Sequence, residues 1–536
     1  MLRERQGCDM TDTADVIIVG FGIAGVCAAI EAADAGAKVL VLDRSHGGGA
    51  SALSGGVVYA GGGTRIQKEA GVRDTPENMF NYLRQEVKGI VSDRTLMRFC
   101  ETSPAMIDWL IENGAEFCGT VCPFKTSYPT DPHYLYYSGN EKAWPYNQHA
   151  EPAPRGHRQV AKGLNSGKEL MTRLMRTALQ KGVELRPLSR VHELITENGA
   201  VVGVRYRTVD NPSVIEQHRR LVQRSGKLGN WFPKYGAKID ARAERLWQTH
   251  AKEAEARAEG GVILSAGGFV YNPKMMDEYA GGYRDISPLG TAGDDGSGIM
   301  LGVSVGGAIR YMNHMTGWRF ISPPTAFTEG VSIGPSGRRI ANEDLYGATF
   351  THIMVTEHDS RGFLILDSRQ WKKAKGQLKT QTQLFQKLQA YYLFTMGHKK
   401  AGSLEELARK IGVPADAMLE TIRAYNEGIQ SGAGDPYHKA EDLCSPVSEA
   451  PFYAIDISVK NAMAFPTPGL TLGGLVVDED TGLVLKENGE TIPGLYAAGR
   501  TAVGICSNGY ISGLSLADGI FSGRRAGAHA AAQAKA

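Results

Sequence analysis

At 536 residues, with 22% of them charged and a formal net charge of +2, the chain has room for roughly two to four domains and no charge excess to suggest nucleic acid or an acidic surface as its partner. Its seven cysteines are odd in number and irregularly spaced. Cys118 and Cys122, the closest two, have no second pair to complete a zinc site and read as ordinary thiols of a reducing compartment.

No apolar run reaches the ~18 residues of a spanning helix. Met1 to Met10 lacks the apolar core of a signal peptide, so a cytoplasmic protein is expected, with Met10 as an alternative start. The first structured element follows directly. An apolar run, Val16 to Val19, leads into Gly20-Phe21-Gly22-Ile23-Ala24-Gly25, a helix-forming segment runs from Val26 to Ala35, and a second apolar run, Lys38 to Leu42, ends on Asp43. Strand, Gly-x-Gly-x-x-Gly, helix, strand and acid in that order describe a dinucleotide-binding turn. Gly20 permits the turn, Gly22 the approach of a pyrophosphate, and Gly25 close helix–strand packing. The helix start around Ala24 offers its N–H groups to the anion, and Asp43 stands where a carboxylate accepts from a ribose hydroxyl. After Arg44 come Gly47-Gly48-Gly49, Ser54-Gly55-Gly56 and Gly61-Gly62-Gly63, with Ser51 and Ser54 as hydrogen-bonding candidates. So much glycine beside the turn suits a large flat ligand and favours FAD over NAD.

Residues 75–116 carry helical periodicity. From 120 to 160 the chain is rich in Pro, Tyr, Trp and His; Tyr128, Tyr134, Tyr136, Tyr137, Trp144 and Tyr146 read first as an ordered surface loop, with an apolar pocket as the alternative. A helix over 166–181 precedes strands at Val183–Arg186 and Arg190–Leu194, a pair similar to an adenine-side hairpin, with the Val191 backbone meeting the base. Residues 212–258 look like an insertion around Trp231-Phe232-Pro233. Ten Lys and Arg stand against six Asp and Glu between 211 and 260, which fits a solvated helical hairpin or, alternatively, a peripheral contact with a membrane or partner. Gly261 to Gly268 is a strand that sets Ala266 and Gly267 against the cofactor, and 290–310 is expected to return to the sheet. The composition then shifts, with helices over 402–411 and 414–428. The expected fold is α/β: a Rossmann-like FAD-binding domain split into 10–310 and 451–536, with an inserted α+β capping domain at 311–450.

Pro493-Gly494-Leu495-Tyr496-Ala497-Ala498-Gly499-Arg500, paired with the N-terminal turn, resembles the flavoprotein superfamily of fumarate reductase, succinate dehydrogenase and the 3-ketosteroid dehydrogenases. That resemblance implies extended FAD and a substrate held between flavin and cap. The His-Thr-x-Gly-Gly of fumarate reductases is here Leu470-Thr471-Leu472-Gly473-Gly474. Their Gly-x-Arg-x-x-Asn-Glu is present as Gly337 to Glu343, but the arginine that follows it is missing and Tyr346 is nearby. Their C-terminal Arg-Leu-Gly-Gly-Asn is replaced by Tyr510-Ile511-Ser512-Gly513-Leu514. A pocket without those cations would leave a dicarboxylate unpaired, at a cost on the order of several kcal/mol per charge, so the substrate is expected to be uncharged and apolar.

These departures are similar to the 3-ketosteroid Δ4-(5α)-dehydrogenases, and the Pro-Gly-Ala-Gly run of the Δ1 enzymes is absent. The resemblance implies that Tyr510 donates to the 3-keto oxygen, that Ser512 takes the C4 proton and Tyr346 passes it towards solvent, and that the C5 hydride goes to flavin N5. It also sets Gly499 and Arg500 against the cofactor, and the helix start at Leu514-Ser515-Leu516 against the flavin. His46 is three positions out of register for a covalent flavin link, which implies non-covalent FAD. Trp318, Tyr391 and Tyr392 are pocket candidates. With no second dinucleotide turn in the sequence, the electrons are expected to go to an external acceptor, a quinone or a carrier protein. The rival readings are a flavin enzyme for another apolar ketone, of the Δ1-ketosteroid or bile-acid type, and a flavin-bearing sensor.

Overall fold

The computed structural model describes residues 12–229, 233–462 and 464–535; Met1 to Met10, Trp231 and Phe232 lie outside them. The first strand, Asp12–Val19, is apolar and buried at consecutive positions from Val16 to Val19, the pattern of a parallel strand covered on both faces. It lies between Val39–Leu42 and Lys252–Leu264, parallel to both. Thr491–Ala497 adds parallel to Lys252–Leu264 on its other side. The two ends of the chain thus meet two strands apart in one eight-stranded sheet.

Two helices pack together over this sheet, Ile23–Asp34 and the C-terminal Leu514–Gln533. Their contact is glycine-lined: a Cβ built on Gly523 would sit 2.3 Å from the Ala24 carbonyl oxygen, and one on Gly527 equally close to that of Ala28. Backbone-to-backbone packing of this kind fixes how the helices' N-termini stand relative to one another.

Three expectations need correction. Glu184–Arg186 does not form a hairpin with its successor; it extends the parallel sheet beside Val39–Leu42, and the hairpin is Arg190–Glu197 with Ala200–Thr208. The insertion is shorter than 212–258. It is a helical hairpin, Pro212–Gly229 and Pro233–His250, after which Lys252–Leu264 is one continuous strand pairing first with Ala200–Thr208 and then with Asp12–Val19. Residues 290–310 do not rejoin the main sheet but form the helix Ser297–Ser304 and a short strand, Ile309–Arg310, paired with Gly474–Leu475. The helical hairpin is docked rather than free. Trp247 donates its indole N–H to the Leu188 carbonyl at 2.9 Å, and Arg190 stacks on the Trp247 ring at 3.7 Å while binding Glu244 through both guanidinium nitrogens.

The stretch from 311 to 456 supplies a second, four-stranded antiparallel sheet: Val331–Ile333, Phe363–Leu366, Phe452–Asp456 and His398–Ala401. Helices Leu404–Ile411 and Ala415–Gln430 pack over it. The Gly337-to-Glu343 motif is its staple. Arg339 binds Glu343 and Asp435, and Lys439 reaches Glu343 at 2.8 Å, all four side chains buried. Burial raises the pKa of Glu343, but Arg339 and Lys439 outweigh it and hold the group at about 2. No helix among the described residues is long and apolar enough to cross a membrane.

Candidate active site

The dinucleotide turn has the expected geometry. Gly20 adopts φ +98°, and a Cβ on Gly25 would lie 2.0 Å from the Gly20 carbonyl oxygen. Gly22 caps the Ile23–Asp34 helix with no side chain of its own. Ser51 Oγ accepts from Ile23 N–H at 3.0 Å, and the next N–H groups, of Ala24 and Gly25, have no carbonyl within the helix to meet.

Asp43 has a role beyond the expected one. Its carboxylate accepts from the N–H groups of Phe21, Ser45 and Gly47 at 2.8–3.0 Å, so it braces the glycine loop, and little of its acceptor capacity remains for a ribose. Arg44 pairs with Asp295 at 2.6 Å. Ser54 is likewise occupied, donating to Ser51 O and accepting from Gly56 N–H. Gly55 lies under the Tyr128 ring and Gly56 against Ser166. Val191 pairs with Tyr206, and a bulge at His192 interrupts the ladder immediately after it.

From the other end of the chain, Thr501 Oγ1 bonds both the N–H and the carbonyl of Gly267, next to Ala266. Gly499 N–H donates to Ser522 Oγ at 3.0 Å. Arg500 pairs with Asp294, while its Nη1 is buried without a partner. The C-terminal helix opens on Gly513 at φ +92° with no side-chain cap, leaving the N–H groups of Ser515 and Leu516, just after Leu514, without intrahelical acceptors. Two helix N-termini with free N–H groups and an orphaned buried guanidinium donor fit an extended dinucleotide. His46 has its Nε2 3.0 Å from His218 Nδ1 on the helical hairpin.

Beside this cradle, Tyr346, Tyr510 and Ser512 come together across a separation of 166 positions in the sequence. Ser512 is fixed by its backbone, its N–H donating to Ser138 O and its carbonyl accepting from Ser138 Oγ, both at 3.0 Å. Tyr346 occupies the N-cap of the Gly347–Glu357 helix, its N–H held by the Asn140 side-chain oxygen at 2.6 Å. Burial drives the Tyr346 phenol well above its ordinary pKa, reinforced by Tyr510 and Tyr136, while Trp318 and Ser512 alongside oppose the shift. Burial, then the Cys506 thiol, pushes Tyr510 up to about 12. Both phenols are therefore neutral proton donors at rest. Trp318 stands edge-on to Tyr510, ring centres 4.7 Å apart. Among the described residues, no charged side chain hydrogen-bonds to Tyr346, Tyr510 or Ser512.

A fourth residue completes the cluster. Tyr136 OH lies 2.9 Å from Ser512 Oγ, and burial raises its pKa. The surface-loop reading of 120–160 is thereby corrected. Leu135–Tyr136 pairs with Gly156–Arg158, which pairs in turn with Val57–Tyr59, as a small antiparallel sheet, and Tyr128, Tyr136 and Tyr146 are buried. Alternation of Leu135, Tyr136 and Tyr137 was the available signal, but it is too short to set a face. Trp144 and Tyr391 are exposed, so neither lines this cluster, and Tyr392 packs on the second core. A cavity of about 280 Å³ opens beside Tyr346, lined also by Lys125, Tyr137, Phe320 and Asp344.

Fold and site together define an FAD-binding flavoprotein with a cluster of phenols and a serine hydroxyl beside the dinucleotide cradle. A family model described as an FAD binding domain matches residues 15–513, and the chain belongs to that family. It is 38% identical to the 3-oxo-5-alpha-steroid 4-dehydrogenase of Comamonas testosteroni, over 91% of this chain and 93% of that one. It is 26% identical to a 3-oxosteroid 1-dehydrogenase of Mycobacterium tuberculosis, over 92% and 94%. Among solved structures it is similar to the 3-ketosteroid-delta4-(5alpha)-dehydrogenase of Rhodococcus jostii RHA1 in complex with 4-androstene-3,17-dione, with a TM-score of 0.81, 33% identity and 97% of each chain covered.

Proposed function

We propose that this chain desaturates 5α-3-ketosteroids between C4 and C5, using non-covalent FAD held by the split domain 10–310 and 451–536 under a cap at 311–450. The observation that carries the reading is the Ser512 hydroxyl set against the Tyr136 phenol and flanked by Tyr346, with Tyr510 two residues away and no charged partner on any of the three predicted residues. The likeness to the Comamonas and Rhodococcus enzymes supports it.

When bound, FAD supplies the hydride acceptor. The chain's own residues handle the proton. Tyr510, neutral and donating, stabilises the negative charge that grows on the 3-keto oxygen as the C4–H bond breaks, a kind of contribution typically worth about 10²–10³ in rate. Ser512 accepts the C4 proton while giving its own to Tyr346, and the neutral Tyr346 phenol releases its proton to water in the adjoining cavity in the same relay. Tyr346 is the exit because it alone of the four borders the 280 Å³ cavity; Tyr136 is fully enclosed and orients the serine. The electron acceptor is an external quinone or carrier protein in this reading, and the working location is the cytoplasm or a membrane surface facing it.

The test is a purified, flavin-loaded enzyme given paired 5α- and 5β-3-ketosteroids with an artificial acceptor, with the product identified by mass and by its conjugated-enone absorbance. A 4-ene product from the 5α substrate is expected. Turnover of neither, or a 1-ene product, would overturn the assignment.

A further inference from the structure

The sequence offers the 212–258 insertion as a peripheral contact with a membrane or partner. Its helical hairpin, 212–250, is basic, but Val214 and Trp247 are buried in docking against Leu188 and Val209. The structure directs attention to a different pair of helices. Residues 368–401 contain eight Lys and Arg and not one Asp or Glu. They form the helices Ser368–Gln381 and Leu384–Thr395, then the strand His398–Ala401.

The second helix buries one face through Gln386, Ala390, Leu393 and Phe394. Its opposite face is apolar too. Leu384, Leu388 and Tyr391, at i, i+4 and i+7, are 69%, 48% and 54% exposed, and Met396 just beyond is 76% exposed. Large apolar side chains aligned on one exposed helical stripe are unusual for a surface that faces only water. Lys375 and Lys379 precede the stripe in sequence and Lys399 and Lys400 follow it, all exposed and none in an ion pair among the described residues. An apolar stripe bracketed by unpaired lysines matches, in charge and in polarity, the headgroup boundary of an anionic bilayer.

We infer that the Ser368–Thr395 helix pair is a docking surface for anionic lipid bilayers, with the Leu384–Leu388–Tyr391 stripe seated among the acyl chains and the lysines on the headgroups. Beneath the same helix lies an apolar cavity of about 90 Å³, lined by Phe385, Ala390 and Leu393 on one side and Trp318 on the other. Trp318 is the residue that stands against Tyr510. The docked face is thus one cavity away from the reaction chamber, and a lipid-dissolved apolar molecule has a short apolar route inward. The docking goes beyond the steroid reading and is tested without turnover.

The experiment is flotation of the flavin-loaded full chain with vesicles of phosphatidylcholine alone and of phosphatidylcholine with about one-third phosphatidylglycerol. Binding to the anionic vesicles only is expected, weakening as salt is added. Lys375→Glu with Lys379→Glu lowers the partition about 25-fold or more, and Leu384→Ser with Leu388→Ser lowers it about tenfold or more; both pairs keep the flavin spectrum of the parent. Absence of binding to anionic vesicles at low salt overturns the inference, as does binding insensitive to both pairs. Loss of binding instead on Arg219→Glu with Arg224→Glu would move the contact to the 212–250 hairpin. A dimer in sedimentation that Leu384→Ser with Leu388→Ser converts to monomer, without vesicle binding, would show a second copy covering the stripe and equally overturn it.

Discussion

Tyr136→Phe is the sharpest test of the proton route, because it removes one oxygen atom from a site otherwise left in place. The 2.9 Å contact between Tyr136 OH and Ser512 Oγ orients the serine hydroxyl. Without it the serine retains its backbone anchors at Ser138 but can rotate its lone pair away from the substrate. A positioned proton-transfer partner contributes about 10²–10⁴ in rate. With Tyr346 still available as the exit, the loss should fall near the lower end, about 10², or ~2.7 kcal/mol of barrier. Stability should fall by no more than about 1–2 kcal/mol, the cost of one lost buried hydrogen bond. The assay is anaerobic mixing of flavin-loaded enzyme with a 5α-3-ketosteroid, following flavin bleaching so that product release does not mask chemistry. Binding, read from the substrate dependence of the bleaching rate, should be nearly unchanged. Adding Ser512→Ala to Tyr136→Phe should cost no more than Ser512→Ala alone, because residues that act as one unit are not additive. A bleaching rate within about threefold of the parent would refute the argument, since a difference that small is beneath any proton-transfer role.

Three further outcomes follow from groups outside the reaction chamber. Burial raises Glu86 from 4.5 to about 7 against the pull of Asn140 and Tyr82; the folded state therefore keeps a proton that the unfolded chain releases, and stability falls as pH rises between those values. Glu86→Gln, compared with the parent by urea unfolding, should gain about 3 kcal/mol relative to it across that window, and a pH-independent difference would contradict the assignment. Glu343→Gln leaves Arg339 and Lys439 facing Asp435 alone; it should cost about 3–5 kcal/mol in the same assay. In the parent, the stabilisation from Glu343 should fade as pH drops from 4.5 towards 2. Gly25→Ala drives a methyl to 2.0 Å from the Gly20 carbonyl, and the purified protein should show a sharply lower ratio of flavin to protein absorbance; full flavin content would mean that the turn adapts.

How much of this was readable beforehand depends on sequence distance. The dinucleotide turn is local: strand, three glycines, helix and acid lie within one short segment, so spacing alone defines them. Tyr510 and Ser512 were readable as departures from a familiar motif. Tyr136 was not, because its role depends on Leu135–Tyr136 pairing with Gly156–Arg158, which in turn pairs with Val57–Tyr59, three segments whose individual hydrophobic patterns are too short to establish a period. The same limit explains Glu184–Arg186, where three residues pair with Val39–Leu42 rather than with their neighbours in sequence. Asp43 shows the converse: spacing picks it out as a ribose acceptor, whereas the three N–H groups it accepts from the glycine loop belong to a turn geometry that spacing does not encode.

The placement of Ser512 also explains why the cradle and the chemistry must be built together. Gly513 ends the Tyr510-Ile511-Ser512 segment and begins the C-terminal helix in the left-handed region, and its carbonyl accepts from Tyr59 N–H at 3.1 Å. A side chain there would meet that same Tyr59 N at 2.8 Å. The helix is in turn locked to the dinucleotide helix through Gly523 and Gly527. Ser512 is thus positioned, through one rigid element, by the same backbone contacts that set the pyrophosphate turn. A substitution that spreads the two helices, such as Gly523→Ala, should therefore lower flavin retention and the bleaching rate of the remaining loaded enzyme together. A variant that lost flavin but kept parental chemistry in its loaded fraction would show that the reaction chamber is held by the small Tyr136 sheet alone.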